Sequence, residues 1–389
     1  MVKMVSAMSR LGTESAFEVL ARANGLAAQG KSIINLGIGQ PDFEPPPHII
    51  DAAVKALKDG HHGYTPANGI IELREAVSRD IYHRRGVEID PSNVMVVPGG
   101  KVTMFFAILM FGEPGAEIIY PNPGFPIYES VINYTGATPI AMSLHEEAGF
   151  SFNADEVLEL ITPNTRLLII NSPANPTGGS VPKQEMDKLA SGLEKHKNVV
   201  VLSDEIYSRM LYDDKTHVSL LSYKEIRNRV ILLDGWSKTY AMTGWRMGYG
   251  VWPAELINFA TRLSINCHSC VNAASQLAGV AALDGPQNAV DAMVAAFAER
   301  RRFIVDALNQ IPGFRCAEPG GAFYVFPNIE GTGYSSQELQ DRLLSAEGVA
   351  TIAGTSFGCR GRGYLRLSYA NSKENIKAAI GRIQSFISE

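Results

Sequence analysis

The sequence predicts an α/β fold: a large unit built on a mostly parallel, seven-stranded sheet, followed by a smaller α+β unit. Three observations carry this. Short apolar runs alternate with helical patterns between about residues 94 and 251. Several of those runs are apolar at every position, as strands buried on both faces are. Beyond about residue 286 the alternation gives way to a mixture of strands and helices with a different order.

In chain order, the stretch up to Gly30 reads as an arm and a helix. Val94–Val97 reads as the first buried strand, followed by Gly99-Gly100 and a helical run from Val102 to Leu109. Ile118–Tyr120 is the second, closed by Pro121-Asn122-Pro123-Gly124, and Ala137–Ala141 the third. Leu167–Asn171 ends at Ser172-Pro173, Val199–Ser203 at Asp204-Glu205, and Val230–Asp234 at Gly235; Met247–Val251 is the seventh. The segment from Val271 to Leu308 is expected to be helical throughout and to bridge into the second unit. There, strands are expected at 322–326 and 364–369 and helices at 336–346 and 373–387. The expected division is residues 1–45 (arm and part of the small domain), 46–285 (large domain) and 286–389 (small domain).

Composition narrows the function. With 35 Lys and Arg against 40 Asp and Glu, the net charge is -5, and no run of five like charges occurs, so a nucleic-acid footprint is not expected. No apolar window approaches the roughly 18 residues of a membrane span, and residues 1–12 lack a signal-peptide core, so a cytoplasmic protein is expected. The four cysteines include a CxxC, Cys267–Cys270, but no second pair, which favours packing over a zinc site.

The chemistry-bearing residues gather at strand ends, where open α/β sheets bind ligands. Lys238 follows a buried strand and stands among Trp236, Tyr240 and Met242; burial there would lower its pKa and make it a nucleophile and later a base. Arg246, eight residues on, offers a planar fork for a phosphate. Asp204 is either a helix cap or a carboxylate able to hold a protonated ring nitrogen, with Tyr207 placed to donate its hydroxyl. Asn175 sits between two prolines that fix its amide at a strand end. Gly99-Gly100-Lys101 opens a helix and reads as an anion seat, and Arg366 shares a strand face with Tyr364 and Ser368.

Taken together, these residues make the chain resemble the class I and II aminotransferases, the pyridoxal 5'-phosphate (PLP)-dependent transferases of fold type I. The motifs in order are Gly37–Phe43, Tyr64-Thr65-Pro66 with Gly69 and Leu73-Arg74, Asn175-Pro176-Thr177-Gly178, Ser203–Tyr207, Ser237-Lys238 to Arg246, and Arg366-Leu367-Ser368. The resemblance implies PLP held as a Schiff base on Lys238, with Asp204 on the ring nitrogen and Asn175 and Tyr207 on the phenolic oxygen. It further implies Phe125 stacked on the ring, and Gly100, Lys101, Ser237 and Arg246 at the phosphate. Arg366 would clamp the substrate α-carboxylate beneath the loop carrying Gly39. Tyr64 would reach the cofactor of a neighbouring subunit, which implies a homodimer with shared sites.

The resemblance also implies ping-pong transfer of an amino group from an L-amino acid to a 2-oxo acid. In a bacterial aspartate-specific subgroup a lysine at the position of Lys101 reads the side-chain carboxylate, which favours aspartate or glutamate with 2-oxoglutarate. Aromatic, alanine-type or broad-range donors, and other PLP chemistry such as racemisation or β-elimination, are the alternatives. Two departures stand out. Gly235 occupies a place where many relatives carry a phosphate-binding Ser. Glu14 or Ala16 falls where that subgroup has a small hydroxyl residue, and a Glu there would pair with Lys101 and repel a second carboxylate.

Overall fold

A computed structural model describes residues 2–389. Strand β1 (Ile34–Asn35) precedes the sheet-forming part of the chain. There follow β2 (Val94–Val97), β3 (Glu117–Asn122), β4 (Thr138–Ser143), β5 (Thr165–Asn171), β6 (Val200–Asp204), β7 (Val230–Gly235) and β8 (Gly248–Val251). These seven form one sheet in the order β2-β8-β7-β6-β5-β3-β4. Pairing is parallel from β7 through β6, β5 and β3 to β4; β8 runs antiparallel to both of its neighbours.

The continuous apolar runs have a direct cause. Successive residues of a strand point to opposite faces, and both faces of this sheet are covered. Val94, Val96, Leu168, Ile170, Val201 and Leu232 enter one core, whereas Met95, Val97, Leu167, Ile169, Leu202 and Leu233 enter the other. An apolar residue is therefore needed at every position. The parallel arrangement also sets the strand ends side by side: Asn171 is in register with Asp204, and Asp204 with Leu233.

The remaining strands are β9 (Tyr324–Val325), β10 (Val349–Ala350), β11 (Ile352–Ala353) and β12 (Leu365–Ser368). Strands β11, β12 and β9 form an antiparallel sheet, and β10 pairs with β1. Their core includes Phe297, Phe323, Leu365, Leu367 and Ile376. The first α-helix, Ser15–Ala28, packs Ala16, Val19 and Ala23 in a cluster with Ile352 and Phe357.

Three expectations are corrected. The segment 271–308 is not one helix but two, Ala273–Asp284 and Asn288–Leu308. Gly285-Pro286 breaks it, because proline lacks the N–H needed to continue the ladder and its ring clashes with the preceding turn. The helix expected over 336–346 is α-helical only over Ser336–Arg342 and continues as a π-turn, Leu343–Glu347, ending on left-handed Gly348. The two C-terminal strands are also shorter than the apolar runs that announced them.

Candidate active site

A cavity of about 470 Å³ opens at the C-terminal ends of β5, β6 and β7, closed from the other side by β9, β12 and the 38–40 loop. Its lining brings together Lys238, Asp204, Tyr207, Asn175, Gly100, Lys101, Phe125, Ser237, Arg246, Gly39 and Arg366. Tyr64 stands apart: it is 94% exposed and lines a separate hollow with Leu57, His61 and Val271.

Lys238 lies on a single helical turn, Trp236–Thr239, directly after β7. The turn is anchored by Trp236, which is fully buried and donates its indole N–H to the Gly279 carbonyl at 3.1 Å. Lys238 Nζ donates to the Gly39 carbonyl. Burial, followed by the positive charge of Arg366, pushes its pKa down to about 8.

Asp204, the last residue of β6, is buried. One carboxylate oxygen accepts from Tyr128 Oη at 2.6 Å and the other from the Ile206 amide at 3.3 Å. Burial pushes its pKa up to about 6, with Tyr128 and the amide pulling the other way. Asn171 Nδ2 holds the Asp204 carbonyl at 3.1 Å, and Asn171 Oδ1 accepts from the Asn175 amide at 3.0 Å. One asparagine thus ties the two strand ends together.

Arg366 arrives on β12 and is 2% exposed. Its guanidinium lies between the rings of Tyr324 and Phe357, 4.7 and 4.8 Å from their centroids. Nη1 donates to Asn175 Oδ1 at 3.0 Å, Nη2 to the Gly37 carbonyl, and Nε has no partner. Tyr207 Oη and Tyr324 Oη are 2.8 Å apart. A Cβ on Gly39 would collide with the Tyr324 hydroxyl, so only glycine lets this loop approach.

On the opposite side, Gly100 caps the helix Lys101–Phe111 and Gly99 has φ of +90°. Arg246, itself left-handed at φ 56°, folds against this turn: a Cβ on Gly99 would strike its guanidinium. Arg246 donates to the Thr243 carbonyl at 2.7 Å. Gly235 is explained by packing: a Cβ there would lie 2.7 Å from Gly248 Cα, so this chain has no room for a serine at that place.

Among the described residues Lys238, Arg246, Arg366 and Asp204 have no oppositely charged partner, whereas Lys101 does: its Nζ is 2.9 Å from Glu14 Oε2. Arg246 is exposed to solvent, but the buried charges of Asp204 and Arg366, facing one cavity, are costly unless a ligand compensates them. Tyr128, Tyr324 and Asn171 also line the cavity, in positions that the sequence did not mark as part of a site. Tyr128 had a faint signal, one helical turn after Phe125, whose ring it meets edge-on at 5.7 Å.

The sequence profile of the family "Aminotransferase class I and II" matches residues 31–383. The chain belongs to the class I and II aminotransferases. This aminotransferase is 40% identical over 360 residues to the aspartate aminotransferase of Pyrococcus horikoshii, covering 92% of this chain and 91% of that one. The crystal structure of the aspartate aminotransferase of Rhizobium meliloti superposes with a TM-score of 0.95 at 32% identity, covering 100% and 99% of the two chains. An aromatic aminotransferase of Pyrococcus horikoshii follows the same fold at TM-score 0.89 and 34% identity, covering 94% and 98%. No described helix is long and apolar enough to cross a membrane.

Proposed function

We propose that this aminotransferase works with PLP, transferring amino groups from aspartate or glutamate to 2-oxo acids such as 2-oxoglutarate, as a homodimer in the cytoplasm. The observation that carries the reading is the convergence of Lys238, Asp204 and Arg366, from three distant parts of the chain, each lacking a charge partner among the described residues. The residues fit a phosphorylated pyridine aldehyde. Arg246, Ser237 and the Gly100 end of a helix form an anion seat. Asp204 suits a protonated ring nitrogen, and Phe125 offers a flat face. Aspartate and glutamate are favoured by the activity named for the relatives. Homodimer formation is supported by the exposure of Tyr64 and of the apolar arm, and a reducing compartment by four free thiols.

When bound, PLP supplies an aldehyde for the lysine amine and an electron-withdrawing ring that stabilises charge at the substrate α-carbon. The chain supplies the rest. Arg366 holds the α-carboxylate in a bidentate fork, with Asn175 fixing its orientation. Lys238 Nζ would take the substrate α-proton and deliver it to the carbon that bore the aldehyde, so that the amino group leaves the substrate; an amine with pKa about 8 is suited to both duties near neutral pH. Asp204 would keep a proton on the ring nitrogen, and Tyr207 and Asn175 would hold the phenolic oxygen.

The test is a half-reaction. Aspartate or glutamate added alone to PLP-loaded protein should abolish the visible cofactor absorbance, and 2-oxoglutarate should restore it. Turnover of a donor with no change in that band would point instead to racemisation or elimination. Lys238→Ala should remove the lysine-linked absorbance and lower turnover by at least about a thousandfold; retention of both would overturn the assignment.

A further inference from the structure

Lys101 is the cavity cation left over once Lys238, Arg246 and Arg366 are given to the aldehyde, the phosphate and the α-carboxylate, and it is already paired. Glu14 Oε2 lies 2.9 Å from Lys101 Nζ, and both side chains line the cavity. The glutamate side chain is 20% exposed and the lysine 43%. Glu14 stands at the N-cap of the helix Ser15–Ala28, yet its side chain caps no amide and is directed to Lys101 instead. The cavity also carries apolar side chains: Phe17, Ile38 and Met104 line it, and Phe125 lies beneath Lys101 at 5.2 Å.

We propose that Glu14 is a built-in competitor for Lys101 and sets donor selectivity: with the ion pair closed the cavity takes neutral side chains, and a second carboxylate is accepted only by displacing Glu14. This rests on the aminotransferase reading above. The physical reason is charge balance. A distal carboxylate entering beside Glu14 places two anions on one ammonium, and like charges in a partly desolvated site repel. An aromatic or aliphatic side chain meets a neutralised pair and the Phe125 ring instead. Because the pair is part-exposed, its closure is a weak bias rather than a block.

The experiment compares wild type, Glu14→Gln and Lys101→Met with aspartate, glutamate, phenylalanine and methionine as donors. A second readout is equilibrium binding of succinate and of 3-phenylpropionate to PLP-loaded protein. Glu14→Gln should raise the ratio of acidic to neutral donor kcat/KM by about two- to fivefold and tighten succinate by a similar factor. Lys101→Met should lower that ratio, and adding Glu14→Gln to it should recover the part due to the unpaired carboxylate but leave the ratio below that of Glu14→Gln alone. An unchanged or lowered ratio and unchanged succinate affinity in Glu14→Gln would overturn the proposal. If no amino acid converts the wild-type cofactor band, the functional reading itself fails; if donors convert but the ratio stays put, only the role of Glu14 fails.

Discussion

At the scale of single residues, the cavity works by setting protonation states before any substrate arrives. Burial and the nearby Arg366 bring Lys238 down to about 8, so roughly a tenth of the amine is neutral at pH 7, against well under a thousandth for an ordinary lysine. The rate at which cofactor-free protein captures PLP should therefore rise with pH through about 8 and level off above it; a rise continuing to pH 10 would show an unperturbed amine. Tyr324 has a different duty. Its hydroxyl meets Tyr207 and its ring lies against Arg366. Tyr324→Phe removes one hydrogen bond, worth about 1 kcal/mol, and should shift the pH titration of the bound chromophore while KM holds within about twofold. Tyr324→Ala also removes the ring and should raise KM for every donor. A chromophore titration identical to wild type in Tyr324→Phe would show that the hydroxyl contact carries nothing.

At the scale of elements, the strand ends are held by an ion network beneath the cavity. Arg85, on the helix Ile71–Arg85, donates to Glu205 at 2.8 Å and to Asp234 at 2.7 Å, and all three side chains are at most 3% exposed. His217 adds a contact to Glu205 at 2.7 Å. Burial works against ionisation of Glu205, but His217 and Arg85 outweigh it and hold its carboxyl well below the usual range. A depressed pKa means stability fully present above the ordinary carboxylate pKa and lost as pH falls through the folded one. Thermal stability should therefore decline below about pH 4. Arg85→Met takes the shared partner from two buried carboxylates, leaving Glu205 with His217 and Asp234 with Arg84 at 3.4 Å, and should cost at most about 3–5 kcal/mol, read as a lower denaturant midpoint at pH 7.

What the sequence disclosed follows from the same elements. The strands were legible because both faces are buried and their apolar runs stop at Asn171, Asp204 and Gly235, which also exposed the site. Tyr128 and Tyr324 were not, because an aromatic inside an apolar run reads as core until its hydroxyl is seen to meet Asp204 or Tyr207. Nor was the Arg85 network, whose partners are 120 and 149 residues away, with no local period to announce them. Glu14 was half legible: its residue type suggested a partner for Lys101, and only the fold set the two at contact distance.

At the scale of the whole molecule, the arm leaves Val2, Met4 and Val5 68–94% exposed, and Phe259 and Ile265 are more than half exposed as well. Apolar area of this kind is what association of two copies would cover. Sedimentation should show a dimer, and deletion of residues 2–10 should shift it toward monomer. The pairing of β2 with β8 has a consequence of its own. Strand β2 is the margin of the large sheet, and it is joined there to its only antiparallel member. The glycine turn after β2 and Arg246 before β8 face each other across that join. An oxyanion seated between them would rivet the margin shut whether or not Lys238 is engaged. Inorganic phosphate alone should then raise the melting temperature of cofactor-free protein, by an amount equivalent to about 2.7 kcal/mol at a hundredfold excess over its dissociation constant, and slow amide exchange in residues 94–97 and 248–251 before any other part of the sheet responds.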